Sequence, residues 1–222
     1  MTDIFRRIIE VGISVTALIV LSPLLLLVAL LVYVTSPGGV LYRSRRIGTN
    51  EKPFTLYKFR SMVSGADKMG ALNVAHTDSR VTTIGRFLRT TKLDELPQFI
   101  NVLIGNVTLI GPRADIPEYI EKLPEQKKKL ILSVKPGLSD WGSLFTFTQY
   151  ADFAKADDPD EYQIKYIHPI KIALQEYYVH NRSLVMDLHI FILTALRMIK
   201  VDFGFPAYVK KVIEETKRNI PE

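Results

Sequence analysis

The feature that most constrains this chain is a long uncharged segment near its N-terminus. The 32 residues from Val11 to Tyr42 contain no Asp, Glu, Lys, Arg or His. Within Ile13–Val34, 18 of 22 residues are apolar, and the exceptions are Ser14, Thr16, Ser22 and Pro23. A straight helix over that stretch would be about 33 Å long, close to the hydrocarbon thickness of a bilayer. A signal sequence has a shorter apolar region, and a soluble core helix keeps one polar face. The segment therefore predicts membrane insertion.

A proline near the middle of this segment bears on how it sits in the membrane. Pro23 removes a backbone hydrogen bond and pushes against the carbonyl of Ile19, which predicts a kink. The Ser22 hydroxyl can then bond a carbonyl that the kink leaves free. Both ends of the segment are flanked by arginines, namely Arg6, Arg7, Arg43, Arg45 and Arg46. The positive-inside tendency would keep both flanks in the cytoplasm, which favours a re-entrant helix over a kinked spanning helix. On these residues alone both topologies stay open.

Composition removes several classes of protein. The chain has no cysteine, which excludes disulfides, thiolate metal sites and a cysteine nucleophile. Its four histidines lack the close spacing of a zinc site, and the dinucleotide-binding and P-loop motifs are absent. Residues 43–222 carry the whole net charge of +6. That excess suits an anionic bilayer surface or a phosphorylated substrate. The positive charge also permits binding to nucleic acid. No nucleic-acid partner is expected, however, because the sequence has no nucleic-acid-binding motif.

Beyond the membrane segment, the sequence predicts a mainly α fold with one small β-hairpin. The strands are expected at Val40–Arg46 and Pro53–Arg60. Pro97 is expected to open a helix that Gly105 closes, and Arg80–Thr91 should be helical at its end. Further helices are predicted at Ile116–Leu123, Pro124–Ser133, Pro169–Val179, Ser183–Lys200 and Pro206–Arg218. The last two are amphipathic, a pattern that suits either the headgroup plane of a membrane or a protein core.

Three polar clusters could act on phosphates. Lys58 lies in the second strand with aromatic neighbours, and Gly111-Pro112 forms a tight turn that aims the guanidinium of Arg113. Asp94 and Glu95 directly follow three cations, which are Arg86, Arg89 and Lys92. Acidic residues before a helix are common, because the helix N-terminus favours negative charge. The adjacent cations add a second interpretation, since a carboxylate can attack a phosphoryl group only where the repulsion between anions is neutralised.

Taken together these segments resemble a known family. The sequences KFRSM, LRTTKLDELPQFINVLIGN and LIGPR, in this order behind a hydrophobic helix, resemble the bacterial sugar transferases, the monotopic polyprenol-phosphate phosphoglycosyl transferases. The resemblance runs from about Phe5 to Lys200. It implies transfer of a sugar 1-phosphate from a UDP-sugar to a polyprenyl (undecaprenyl) phosphate, with release of UMP, as the first membrane step of surface glycan assembly. The implied location is the bacterial inner membrane, with the catalytic domain facing the cytoplasm.

The resemblance also implies roles for individual residues. Asp94 would be the covalent nucleophile, and Glu95 would be a catalytic residue and a ligand of Mg²⁺, the expected cofactor. The cations expected to bind substrate phosphates are Lys58, Arg89 and Arg113. Ser22 and Pro23 would form the break of a re-entrant membrane helix.

The expected organisation follows from these assignments. A re-entrant membrane helix would occupy residues 1–42, and a compact cytoplasmic α domain with interfacial amphipathic helices would occupy residues 43–222. The sequence departs from the family pattern at Asn106, at Ala114 and at Ser139-Asp140-Trp141-Gly142-Ser143, so no sugar specificity is inferred. A non-catalytic basic membrane adaptor is the alternative. It would explain the anchor and the charge, but it leaves the Asp94-Glu95 block unexplained.

Overall fold

The structure, a computed structural model, is mainly helical, as the sequence predicted, and it has two small sheets where the sequence predicted one hairpin. The residues that it describes are 2–66, 69, 78–149, 159–199, 201 and 204–220. The chain divides into two compact units. Unit 1 comprises Met1–Arg46 and Pro53–Val107, and unit 2 comprises Ile47–Lys52 and Thr108–Glu222. The predicted boundary at residue 42, between a membrane helix and a cytoplasmic domain, stays a prediction.

Unit 1 begins with two helices that meet at a sharp bend. Helix α1 spans Thr2–Val20 and helix α2 spans Ser22–Thr35, and their axes differ by 62°. The Ser22 hydroxyl donates a 2.7 Å hydrogen bond to the carbonyl of Ile19, the bond that the sequence suggested. Among the described residues no single helix has the length and apolar character needed to cross a bilayer, although this bent pair together does.

The remaining elements of unit 1 form a small layer around the end of α2. Strands β1 (Leu41–Ile47) and β2 (Pro53–Phe59) pair as the predicted hairpin, and they are followed by helices α3 (Thr83–Thr91) and α4 (Gln98–Ile104). A buried cluster joins α2, β2 and α3 through Val28, Val32, Phe59 and Leu88. Pro97 precedes α4, and Gly105 ends it with a φ of 90°, a left-handed value that favours glycine. Both ends of α4 therefore lie where the sequence predicted them.

Unit 2 is built from short strands and a series of helices. Strands β3 (Thr108–Ile110) and β4 (Gly137–Ser139) pair in parallel, a pairing that the sequence analysis did not anticipate. A Cβ on Gly137 would lie 2.1 Å from the backbone nitrogen of Gly111, so this close approach requires glycine. The helices are α5 (Pro117–Ile120), α6 (Glu125–Ile131), α7 (Trp141–Thr148), α8 (Pro159–Tyr162), α9 (His168–Asn181), α10 (Leu184–Met198) and α11 (Ala207–Arg218), with a π-helical segment Gln163–Ile167 before α9.

The five predicted helices of unit 2 are all present, with ends that differ by a few residues, whereas α7, α8 and the π-helical segment were not predicted. Lys200, the predicted end of α10, lies outside the described residues. The two amphipathic helices differ in how they use their apolar residues. Val209 and Ile213 of α11 are buried in the unit 2 core beside Trp141, so packing accounts for its pattern. Helix α10 buries Met186 and Ile190 but leaves an exposed stripe of Leu184, Val185, Leu188, Phe191, Ile192 and Met198.

Candidate active site

Asp94 and Glu95 lie in a tight turn between α3 and α4 of unit 1. Lys92 ends α3 with a φ of 59°, a left-handed conformation that is uncommon for a residue with a side chain. A 3-10 turn over Leu93–Glu95 follows, and the backbone then continues in a right-handed helical conformation into α4. Strained backbone of this kind persists only where the surrounding structure fixes it. The turn therefore holds the two carboxylates in one defined place.

Asp94 is a buried carboxylate without a complete set of partners. It is 7% exposed, and its Oδ1 atom has no hydrogen-bond partner among the described residues. Burial raises the pKa of the Asp94 carboxyl, and the charge of the neighbouring Glu95 raises it further. The positive charges of Lys58, Lys92 and Arg89 act in the opposite direction without cancelling the rise. The result is a carboxylate that is more basic than usual and has an oxygen available for a new bond.

Lys58 and Glu95 form an ion pair beside this carboxylate. Lys58 projects from β2, and its Nζ donates a 3.0 Å hydrogen bond to Oε1 of Glu95. Both side chains are partly buried, so the pair is less screened by water than a surface pair. Arg60, two residues along the same strand, instead donates hydrogen bonds to the carbonyls of Pro37 and Gly38. Arg60 thus anchors the segment that leaves α2.

Arg89 reaches the site from the last turn of α3. Its Nε donates a 2.9 Å hydrogen bond to the hydroxyl of Ser61, and its charge lowers the pKa of Asp94. Helix α3 packs closely against the backbone of Ser61. A Cβ on Gly85 would lie only 1.9 Å from the Ser61 carbonyl oxygen. Four of the five predicted catalytic and phosphate-binding residues therefore belong to unit 1, where the charges of Lys58, Arg89 and Glu95 act on the carboxylate of Asp94.

Arg113, the fifth, belongs to unit 2 and is held there by Asp140. The backbone N–H of Arg113 donates a 2.9 Å hydrogen bond to Oδ2 of Asp140, and its guanidinium donates to the carbonyl of Leu138. Asp140 is fully buried and also accepts hydrogen bonds from the Ser143 N–H and the Gln175 side-chain amide. Asp140 was noted only as a departure from the family pattern. Asp140 is the N-cap of α7. An aspartate immediately before a helix is a typical N-cap signal in a sequence.

Sequence reasoning also missed two buried polar residues of α4. Asn101 is fully buried and joins α4 to β2. Its Oδ1 accepts a 2.9 Å hydrogen bond from the Tyr57 N–H, and its Nδ2 donates a 2.6 Å bond to the Thr55 carbonyl. Gln98 is 2% exposed, and its Nε2 atom has no partner among the described residues. Asp94, Gln98 and Asn101 are spaced by four and three residues, a spacing that places polar side chains on one face of a helical segment.

The donor groups of unit 1 limit the kind of metal site that can form. Across the described part of the chain, no group of three or more His, Cys, Asp or Glu side chains is arranged to hold a metal ion. Magnesium rarely needs such a cage, because it commonly binds one or two carboxylates together with substrate phosphates and water. The adjacent carboxylates Asp94 and Glu95, one of them with an unpaired oxygen, fit that mode of binding.

Comparison with known proteins gives a consistent result. A family described as bacterial sugar transferase matches residues 1–201. The UDP-N-acetylgalactosamine-undecaprenyl-phosphate N-acetylgalactosaminephosphotransferase of Aeromonas hydrophila is 34% identical over 203 residues, which cover 90% of this chain and 44% of that protein. The exopolysaccharide production protein PSS of Rhizobium leguminosarum is 36% identical over 91% of this chain and 98% of its own length.

A third relative is the UDP-glucose:undecaprenyl-phosphate glucose-1-phosphate transferase of Escherichia coli. It is 35% identical over 74% of this chain and 36% of its own length. The chain thus spans less than half of two of these three relatives and nearly all of the other.

Proposed function

The chain belongs to the bacterial sugar transferase family, and from this membership we propose that it transfers a sugar 1-phosphate from a UDP-sugar to a polyprenyl phosphate and releases UMP. The relatives support this proposal, because two of them are named for transfer from UDP-glucose or UDP-N-acetylgalactosamine to undecaprenyl phosphate. The observation that carries it is the buried Asp94 carboxylate, which keeps an unpaired oxygen beside the Lys58–Glu95 ion pair. A non-catalytic adaptor would have no use for this costly arrangement.

The proposed reaction has two displacements at one phosphorus atom. A carboxylate oxygen of Asp94 forms a bond to the β-phosphorus of the UDP-sugar, while the bond from that phosphorus to the oxygen bridging to UMP breaks. UMP leaves with the electron pair, and Asp94 then carries the sugar phosphate as an acyl phosphate. A phosphate oxygen of the polyprenyl phosphate next attacks the same phosphorus and frees the Asp94 carboxylate. The covalent intermediate lets one site serve a soluble donor and a membrane-bound acceptor in turn.

The residues around Asp94 suit the first displacement. Burial raises the pKa of Asp94, which makes its ionised form a stronger nucleophile than an exposed carboxylate. Two anions must approach one another, so positive charge at the site lowers the barrier. Lys58 and Arg89 supply that charge, and Arg89 is already oriented by its hydrogen bond to Ser61. Arg113 has the bidentate geometry for a phosphate, and we assign it to substrate binding.

Glu95 would hold Mg²⁺ together with phosphate oxygens of the substrate, where the ion would offset the phosphate charge. Lys58 is the present partner of Glu95, and its three N–H donors allow it to bond a phosphate oxygen while it remains beside this carboxylate. The chain's own contribution is therefore a fixed pair of carboxylates and a nearby cation.

Both ends of the bent helix pair contact the other helices of unit 1, which supports a re-entrant topology. Near the start of α1, the Arg7 guanidinium donates hydrogen bonds of 2.5 and 2.8 Å to the carbonyls of Val102 and Leu103 in α4. Near the end of α2, Val32 is buried in the cluster that includes Leu88. A spanning helix would place its two ends on opposite sides of the bilayer, where they could not contact one unit. We therefore propose that the pair enters and leaves by the cytoplasmic leaflet of the bacterial inner membrane.

Helix α10 offers a second contact with lipid in this proposal. Its exposed stripe, which includes Val185, Leu188 and Ile192, follows the spacing of one helical face. Such a face is suited to lie in the boundary between headgroups and acyl chains. The buried side of the same helix, with Met186 and Ile190, keeps it attached to unit 2.

Intact-mass measurement of the purified protein tests the chemistry. The protein in detergent is mixed with Mg²⁺ and either UDP-glucose or UDP-N-acetylgalactosamine, without a lipid acceptor, and is quenched rapidly in acid. We expect a mass increase of one sugar phosphate at Asp94, its loss on addition of undecaprenyl phosphate, and no adduct in Asp94→Asn. UMP release that requires both substrates at once, with no adduct under any quench, would refute the covalent route. Absence of UMP release with any UDP-sugar would refute the activity.

A further inference from the structure

Gln98 is a buried residue of unit 1 whose side-chain Nε2 group makes no hydrogen bond in the described structure. It is 2% exposed, and its Nε2 atom lacks a partner. Buried polar atoms are nearly always paired, and an exception calls for an explanation. Gln175 shows the ordinary case, because it is equally buried and donates to the Asp140 carboxylate at 2.8 Å. The Nε2 group of Gln98 is therefore available for a partner that the described residues do not supply.

The backbone places Gln98 on the same face as Asp94. From Leu93 to Ile104 the chain is continuously right-handed helical, first as a 3-10 turn and then as α4. Residues three and four apart on such a segment are separated by about one turn, so Gln98 follows Asp94 by about one turn of the helix. Asn101, three residues further on, bonds the backbone of β2, so this face is directed at the strand that carries Lys58. Gln98 thus lies between the candidate nucleophile and a fixed structural anchor.

Two atoms on this face are unpaired, Oδ1 of Asp94 and Nε2 of Gln98. They are not bonded to each other, and one is an acceptor while the other is a donor. A group that bonds covalently to Asp94 and carries acceptor oxygens of its own would satisfy both atoms. A phosphoryl group has this chemistry, because one bond joins it to the carboxylate and its nonbridging oxygens accept hydrogen bonds.

We propose that Gln98 is a further catalytic residue, whose Nε2 group donates a hydrogen bond to a nonbridging oxygen of the phosphoryl group transferred onto Asp94. The proposal rests on the proposed function, because it requires the covalent intermediate. A neutral donor suits this position better than a cation. Lysine or arginine there would pair with Asp94 in the free protein and would lower the pKa of the nucleophile. An amide stabilises the charge on the phosphoryl oxygens without forming such a pair.

The test compares four variants of the full chain in detergent. Gln98→Met removes the donor at similar size, and Gln98→Glu replaces it with an anion that repels the phosphoryl group. Gln175→Met is the control for a buried glutamine whose Nε2 group is paired, and Gln126→Met is the control on an exposed position of α6. Thermal unfolding, UMP release and the rate of adduct formation are measured with the UDP-sugar that the wild-type protein uses.

We expect Gln98→Met to unfold at the wild-type temperature or above it, because no hydrogen bond is lost. Adduct formation and turnover should fall about 100-fold, the effect of removing one donor from a developing oxyanion, with little change in the KM for the donor. Gln98→Glu should be slower still. Gln175→Met should unfold at a lower temperature, because it leaves a buried carboxylate oxygen short of a donor, and Gln126→Met should match the wild type in both properties.

Wild-type turnover by Gln98→Met would overturn the proposal whatever its stability. A fall in the unfolding temperature equal to that of Gln175→Met, or failure to fold, would also overturn it, because either result would assign Gln98 a structural role. These outcomes differ from failure of the proposed function. In that case Asp94→Asn would keep its turnover, or the wild-type protein would release no UMP.

Discussion

Replacement of Asp94 by asparagine should make the protein more stable and inactive at the same time. The wild-type carboxylate is buried, its Oδ1 atom is unpaired, and burial together with the Glu95 charge raises its pKa. A raised pKa means that the folded state disfavours the ionised form, so stability is lost as the pH rises through the folded pKa. An uncharged amide of the same size avoids that loss.

The expected gain comes from the removal of a buried negative charge, because the amide has polar atoms of its own to be paired, and we expect about 1 to 3 kcal/mol at pH 7.5. For a chain of this length that corresponds to an unfolding temperature roughly 2 to 12 °C higher. The gain should shrink as the pH falls towards 4, because the wild-type carboxyl becomes protonated in the folded state, where its pKa is raised, and the buried charge disappears. Thermal unfolding in detergent between pH 4 and pH 8, with UMP release measured on the same samples, gives both quantities.

Asp78 provides a matched control within unit 1, because its pKa is shifted in the opposite direction to that of Asp94. Its carboxylate accepts hydrogen bonds from the Arg80 side chain and backbone, and those bonds hold its pKa below the usual value. The stability from a lowered pKa is present above the unfolded value and is lost as the pH falls through the folded pKa. Asp78→Asn should therefore destabilise the protein at neutral pH. Our reasoning about Asp94 would be refuted if Asp94→Asn were also less stable at pH 7.5, or if it retained turnover.

Three further perturbations test other parts of the structure. Pro23→Ala should allow a straighter helix and move some N-termini across the bilayer. Because the chain has no cysteine, a single cysteine added before Met1 and labelled from either side of the membrane measures the location of the N-terminus. A wild-type N-terminus on the external side would contradict re-entry. Asp140→Asn should lower the free energy of unfolding by about 1 to 3 kcal/mol, as measured by urea unfolding. It should also raise the KM for the UDP-sugar, because Asp140 holds the backbone of Arg113. An unchanged KM would show that Asp140 does not position Arg113 for substrate binding. Gly85→Ala should destabilise the protein by about 1 to 3 kcal/mol, because the added Cβ would collide with the Ser61 carbonyl. Gly12→Ala has open space around the added Cβ and should leave the stability unchanged or increase it when both variants are compared by thermal unfolding.

The parts of the fold that the sequence predicted well are those fixed by local chemistry. Pro97 and Gly105 bound α4 because proline starts helices and a left-handed residue ends them. The kink at Ser22 follows from the backbone bond that Pro23 cannot make, and the Ser22 hydroxyl bonds the Ile19 carbonyl as expected. Asp94 and Glu95 could be singled out because two carboxylates next to several cations are unusual in a short segment. None of these inferences required knowledge of distant contacts.

The parts that were missed depend on contacts between distant residues. Strands β3 and β4 are three residues long and pair across a separation of almost 30 residues, so no periodic pattern reveals them. The role of Asp140 depends on Arg113 and Gln175, which are remote in sequence but meet at one carboxylate. The pattern of α11 suited both membrane and core, and only the burial of Val209 and Ile213 decides between these alternatives. In each case the local pattern permits two structures, and tertiary packing selects one.

The unpaired atoms of the candidate site are tolerated because the far end of α4 is fixed in several ways. The Asn101 side chain makes two hydrogen bonds to β2. The backbone carbonyl of Asn101 accepts hydrogen bonds from the N–H groups of Gly105, Asn106 and Val107. Arg7 places a positive charge on the C-terminal carbonyls of α4, where the helix dipole favours it. Because these contacts determine where the helix lies, Asp94 and Gln98 at its beginning need no partners of their own to stay in position. In the proposed topology, Arg7 joins α1, the helix that would enter the bilayer, to α4, the helix that follows the proposed nucleophile, so a change in membrane insertion would alter the position of Asp94.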